Sequence, residues 1–273
     1  MDSGFNLGSW RREQERLRRQ AENKWGERVE KFYSGLQDPE NFDPHAFIAG
    51  EHASQELCDF MLSATLFFND LKDVILVHGL LREKSPKEKS GRTKEWGAFC
   101  GMEIHAIRQT MSLVHEFLEV IKANERIFKT EFYKKIYMQM TRKSRECWDA
   151  VLEVALKGKE TTGPLVKLLH RVRNHASFHF EPRALGRGYK EMFFSGGRVK
   201  QKAVISRGNT MGSSRFYFAD AAAQQCVVRE QKQDPTDMIN EFSQFLENIN
   251  QSVFELVDKF ILRRNFQYLK GAE

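Results

Sequence analysis

The stretch PLVKLLHRVRNHASFHFEP, residues 164–182, fixes the helical character of the chain and holds its most unusual chemistry. Thr161 or Thr162 can cap a helix here, and Pro164 suits its first turn, where the missing amide hydrogen costs little. Leu165, Leu168, Leu169, Val172 and Ala176 recur three and four residues apart, so they define a buried stripe. Arg171, Arg173, Asn174, His175 and His179 crowd the same helix and its end.

Working outward, the flanking sequence is also helical. On the amino side, residues 94–123 and 125–157 contain no proline and keep helical apolar spacing, with Gly158 as a terminator of the second. Residues 46–82 carry Leu57, Phe60, Met61, Ala64, Phe67, Phe68, Leu71, Ile75 and Leu76 as one wide stripe, ending in the polar run 82–92. Breaks at Asp38-Pro39 and Asp43-Pro44 set off residues 1–43. There Trp10, Leu17, Ala21, Trp25, Val29 and Phe32 predict a charged amphipathic helix, packed on its own bundle or gripping a partner subunit. On the carboxyl side, Asp234 and Pro235 open a last long helix with the stripe Ile239, Phe242, Phe245, Ile249, Val253, Leu256 and Phe260, either core or dimer seam.

Between them lies a stretch of different character. Residues 183–215 hold Gly186, Gly188, Gly196, Gly197, Gly208 and Gly212, which should break any long helix, and an apolar run at Ala203–Ile205 that suggests a strand. The expected organisation is an amphipathic arm over 1–43, a helical bundle over 44–182, a basic Gly-rich insertion with short strands over 183–232, and a helix over 233–273 that packs back on the bundle. The fold class is mainly α: an antiparallel helical bundle with a small β-containing basic insertion.

Composition bounds the function. A chain of 273 residues with 41% apolar residues can build its own core. Cys58, Cys100, Cys147 and Cys226 lack the short paired spacing of a zinc ribbon or a disulfide framework, which points to a reducing, cytoplasmic compartment. The start has no apolar leader, and the most apolar window, 57–81, carries Asp59, Asn69, Asp70, Lys72, Asp73 and His78, so no membrane span is expected. A net charge of +6 favours a polyanionic partner. No P-loop, GxGxxG, GxSxG, HExxH or CxxC motif is present.

The run LLHRVRNHASFHFEP, 168–182, resembles the signature of the HEPN superfamily: an arginine, a polar residue directly after it, and a histidine after four to six intervening residues. Arg173, Asn174 and His179 match, with five residues between arginine and histidine. The apolar-basic lead into the Arg-Asn pair and the close Phe178-His179-Phe180 are similar to HEPN-like proteins as well. The motif covers about 15 residues, and the helical pattern over 46–182 agrees with the family's fold. The resemblance implies a metal-independent endoribonuclease acting through the RNA 2′-hydroxyl, as in toxins and anti-phage defence effectors. It also implies a homodimer, with an antitoxin or regulatory protein as a candidate partner.

Side-chain chemistry suits that reading. Histidine titrates near ~6.5 and can move a proton at neutral pH, while arginine stays charged and presents a planar fork to phosphate. His179 is then the proton-transfer residue, Arg173 the phosphate clamp and Asn174 an orienting donor, with His175 a second proton donor or substrate contact. Six residues along an ideal helix separate Arg173 and His179 by about 120° around the axis and about 9 Å along it. Either the helix ends near Ser177 and swings His179 back, or two subunits share one cleft. His175 and His179 lack a third ligand at metal spacing, so no metal or cofactor is expected. The plain alternative for the segment is a helix end whose Arg, Asn and His cap carbonyls and pair with bundle acids; His170 fits that description best.

Residues 183–215 contain eight basic residues against one acid, Glu191. Arg183, Arg187, Lys190, Arg198, Lys200, Lys202 and Arg207, with Arg171 on the motif helix, are the candidate RNA contacts. Tyr189, Phe193, Phe194, Phe216 and Tyr217 either stack on unpaired bases or pin the segment to the bundle.

Overall fold

The computed structural model describes residues 42–50, 53–87, 93–156, 164–176, 182–207, 214–229 and 235–270, all but Phe42 in the compact unit Asp43–Glu273. The amphipathic helix expected over residues 10–32 lies outside the described residues.

Helix α1 (Gln55–Glu83) starts where the Ser54 hydroxyl accepts the Leu57 amide, 3.2 Å away. The helical reading that began at Ala46 is corrected here: residues 44–47 form a separate 3-10 turn, opened by Asp43 accepting from the His45 amide. Arg264, 3% exposed, makes that turn part of the core. Its Nε donates to the Ala46 carbonyl at 3.0 Å, and Nη2 donates to the carbonyls of His45 and Ile48. A buried guanidinium without such acceptors would carry a large desolvation penalty.

Helix α2 (Lys94–Ala123) has the expected bounds and a Thr93 cap. Three pairings show that α1 and α2 are antiparallel. Phe60 meets Phe128 just past α2, Phe67 stacks on Phe117 at 4.0 Å, and His78 bonds Glu103 at 2.9 Å, so one index rises as the other falls.

The single helix expected over 125–157 is a correction. A 3-10 turn at Glu125–Lys129 is followed by α3 (Glu131–Gln139) and α4 (Arg142–Leu156). Threonine hydroxyls cause both breaks, since Thr130 accepts the Tyr133 amide and Thr141 the Ser144 amide, each offering the backbone an alternative to helical bonding. Trp148 of α4 is fully buried against Phe117 and Phe128, and its Nε1 donates to the Tyr133 hydroxyl. Burial is the main reason the Tyr133 phenol is held far above its ordinary pKa.

Helix α5 (Pro164–Ala176) opens on Pro164 as expected and buries Leu165, Leu168, Leu169 and Val172. The last helix, α8 (Pro235–Lys270), buries Phe245, Ile249, Val253, Leu256 and Phe260 from its stripe in the same core. It runs antiparallel to α4, where Glu255 accepts from the Thr141 amide and the Ser144 hydroxyl meets the Gln251 carbonyl.

The Gly-rich segment holds the largest correction. Residues 182–193 form a helix, α6 (Pro182–Phe193), that runs through both Gly186 and Gly188. A Cβ on Gly188 would sit 2.4 Å from the Ala222 carbonyl oxygen and 2.7 Å from the Cys226 Sγ. That glycine lets α6 lie flush on α7 (Tyr217–Arg229), and close approach outweighs its poor helix propensity. A two-stranded hairpin follows, β1 (Phe194–Ser195) with β2 (Arg198–Val199), turned by Gly196 and Gly197 at φ 56° and 77°. No strand forms at Ala203–Ile205; the backbone pairing falls instead on a lone bridge between Ser206 and Arg215.

Among the described residues the fold is mainly helical with one small β-hairpin, in keeping with the mainly-α class the sequence predicts. No described helix is long and apolar enough to cross a membrane.

Candidate nucleic-acid site at the end of the motif helix

Because α5 turns its leucines and Val172 into the core, Val166, Lys167, His170 and Arg173 are left half-buried or exposed. Arg173 is one of these. Its Nε donates to Glu116 Oε1 of α2 at 2.8 Å, with the two side chains 31% and 49% exposed. A pair this exposed adds only about 0–1 kcal/mol of stability, so its main effect is to fix where the guanidinium points.

One turn earlier on α5, exposed His170 meets buried His115 of α2, with 3.3 Å between Nδ1 and Nε2. The buried Nδ1 of His115 has no hydrogen-bond partner among the described residues. Desolvation lowers the His115 pKa; Glu119 and Glu116 pull it up, and His170 and Arg173 push it further down. The lowered pKa favours the neutral ring. A proton on Nε2 donated to His170 then leaves only a lone pair, not an N–H, unmet in the interior. Through this contact His170 ties α5 to α2.

Sequence reasoning missed His115 and Glu116, which lie 55 and 57 residues from their partners. The available signal was a His-Glu pair interrupting the apolar stripe of α2 between Val114 and Phe117.

Of the motif residues, Arg173 is fully described. Asn174 and His175 belong to the last turn of α5, but their side chains, like that of Arg171, lie outside the described set. His179 falls in 177–181, outside the described residues. Helix α5 closes at Ala176 and α6 opens at Pro182, so the two helices bracket it in sequence.

The seven basic residues expected to contact RNA in the insertion are all exposed. Arg183, Arg187 and Lys190 stand on α6, Arg198 on β2, and Lys200, Lys202 and Arg207 on the chain beyond. Arg215 differs, since its Nε binds Asp220 at 2.9 Å over Gly101 of α2. Nearby, Gly97 of α2 takes the Tyr217 ring, where a Cβ would come within 2.8 Å of it. Two glycines four apart on α2 thus seat the start of α7, and α7 carries α6 with its charges.

The aromatic residues divide between the two readings. Phe193 is buried and packs on Tyr189 at 4.8 Å, while Tyr189 meets Phe218 edge-on at 6.1 Å, which pins α6 to α7. Phe194 and Phe216 remain 38% and 58% exposed. An open depression of about 450 Å³ lies against Lys190, Glu191, Phe194, Gly196 and Gly197. Among the described residues no group of three His, Cys, Asp or Glu side chains could hold a metal ion.

Comparison of the chain with protein-family models, with curated proteins and with solved structures finds no match.

Proposed function

We propose that this chain is a HEPN-type endoribonuclease that cuts RNA through its own 2′-hydroxyl. The observation that carries the reading is the setting of Arg173: a half-buried guanidinium oriented by Glu116, on the last turns of a helix whose continuation enters an exposed basic helix.

In this mechanism His179 takes the proton of the 2′-hydroxyl as its oxygen attacks the adjacent phosphorus. The P–O5′ bond breaks, the departing O5′ receives a proton, and the products are a 2′,3′-cyclic phosphate and a 5′-hydroxyl. Arg173 stabilises the added negative charge of the phosphorane, and Asn174 orients the phosphate. His175 supplies the proton for O5′. A homodimer would place Arg173 and His179 of both subunits along one cleft. Restraint of such an activity in a cell calls for an antitoxin or regulatory protein, and a toxin or defence effector is the corresponding role.

A second reading is an RNA-binding module without cleavage. Glu116 favours it, because its carboxylate already occupies the Arg173 Nε that a phosphate would use. Arg173→Lys separates the two. It keeps the charge and loses the fork, so cleavage falls at least a hundredfold while RNA affinity changes less than threefold if Arg173 acts on the transition state. Equal RNA turnover by Arg173→Lys and wild type would remove Arg173 from the chemistry.

A further inference from the structure

The exposed surface of α6, its hairpin and the chain up to Phe216 carries two features together. The first is charge: residues 183–215 hold eight basic residues and one acid, and all but Arg215 among the basic ones are exposed. The second is a connected row of rings. Phe194 contacts Tyr189 at 6.3 Å, Tyr189 contacts Phe218 at 6.1 Å, and Phe218 contacts Phe216 at 5.8 Å. The inner two rings are partly buried, whereas the two at the ends stay open to solvent. Phe194 shares its depression with Lys190, so a flat apolar surface and a cation border the same space.

Exposing two phenylalanines in a basic field brings no folding advantage, since apolar area left in water contributes nothing to the hydrophobic term. A ligand that is flat on its faces and anionic along its backbone would cover both features at once. Duplex nucleic acid offers the anion but keeps its base faces stacked on one another; a single strand offers both.

We propose that Phe194 and Phe216 are stacking platforms for unpaired nucleobases, with Lys190, Arg198 and their neighbours neutralising the phosphates, so that the face selects single-stranded over double-stranded RNA. The inference rests on the reading of this face as an RNA surface and is independent of the chemistry assigned to Arg173 and His179.

The test uses the full chain and 2′-O-methyl oligoribonucleotides, which lack the attacking hydroxyl and cannot be cut. Fluorescence anisotropy compares a labelled single strand of mixed sequence, its duplex and the DNA strand of the same sequence. The single strand should bind at least tenfold tighter than the duplex. Phe194→Leu and Phe216→Leu, which keep apolar bulk but remove the π face, should each weaken single-strand binding about tenfold, and Phe194→Trp should restore it. The DNA strand should bind within threefold of the 2′-O-methyl strand, because a ring does not read the sugar. Lys190→Gln should lower the slope of log K against log salt by about 0.7. Circular dichroism melts report whether each variant is folded. Equal affinity for strand and duplex, leucine variants that bind like wild type while folded, or strong rejection of DNA would each overturn the proposal. Ring-dependent binding by a protein that leaves natural RNA intact would keep the platforms and remove the nuclease, and cleavage by a protein indifferent to the rings would do the reverse.

Discussion

Two glycines on α6, separated by one residue, should respond to the same substitution with opposite sign. At Gly186 a Cβ would meet nothing within 4 Å, so Gly186→Ala collects the full gain in helix propensity, about 1 kcal/mol. At Gly188 the added carbon would lie 2.4 Å from the Ala222 carbonyl oxygen and 2.7 Å from the Cys226 Sγ. The nearer atom belongs to the backbone of α7 and cannot rotate aside, so the helices must separate. Overpacking of this kind costs about 1–3 kcal/mol, and two contacts place it toward the upper end. After the propensity gain, Gly188→Ala should destabilise the fold by about 2 kcal/mol. The two variants then differ by about 3 kcal/mol. For a unit of this size, thermal melts followed at 222 nm should rise about 2–4 °C for Gly186→Ala and fall about 4–8 °C for Gly188→Ala. The same displacement carries the basic face with it, so Gly188→Ala should also weaken RNA binding while Gly186→Ala leaves it unchanged. If the two variants were equally stabilised, the flush contact between α6 and α7 would be wrong, along with the placement of the basic face built on it.

Other outcomes follow from buried polar groups. Arg264→Met removes the donors that satisfy three carbonyls of residues 45–48 and should cost about 3–5 kcal/mol in urea unfolding; a loss under 1 kcal/mol would contradict the tie between α8 and the turn at Pro44–Phe47. Burial lowers the His115 pKa, so the unfolded chain takes up that proton first as pH falls. Its contribution to stability is complete above the ordinary value near ~6.5 and is lost as pH drops toward the lower folded value, so the urea midpoint should fall between pH 7 and 5, and fall less in His115→Phe. A fall of the same size in both proteins would mean that other groups carry it. Glu116→Gln should change stability by less than about 1 kcal/mol, yet lower kcat about tenfold with little change in KM, because it frees the orientation of Arg173 rather than removing its charge. A parallel rise in KM would instead make Glu116 a substrate contact.

Periodicity made the core legible. The stripes Leu165, Leu168, Leu169 and Val172 in α5, and Phe245, Ile249, Val253, Leu256 and Phe260 in α8, are buried because spacing of three and four dictates one face. The stripe on α1 holds only as far as Leu71; beyond it Ile75 is exposed, since apolar spacing does not reveal where the neighbouring helix stops covering it. Local chemistry misled in two directions. Thr130 and Thr141 are unremarkable within a helical pattern until their hydroxyls are seen to cap new helices, whereas Gly186 and Gly188 look like breakers and sit inside a helix. In the second case the decisive partner, Ala222, is 34 residues away, a distance at which propensity carries no information. The candidate site divides similarly. Arg173 and the exposed cations were readable from residue type and clustering, while Glu116 and His115 enter through tertiary packing of α2 on α5. Helix α7 went unread because its alanine-rich face has little hydrophobic contrast against a Gly-rich background.

The most direct test of the nuclease claim is incubation of purified wild type and His179→Ala with total RNA in EDTA, followed by analysis of the product ends. Cleavage by wild type alone, leaving 2′,3′-cyclic phosphate and 5′-hydroxyl termini, is the predicted result. Intact RNA with both proteins, or equal cleavage by both, would contradict it.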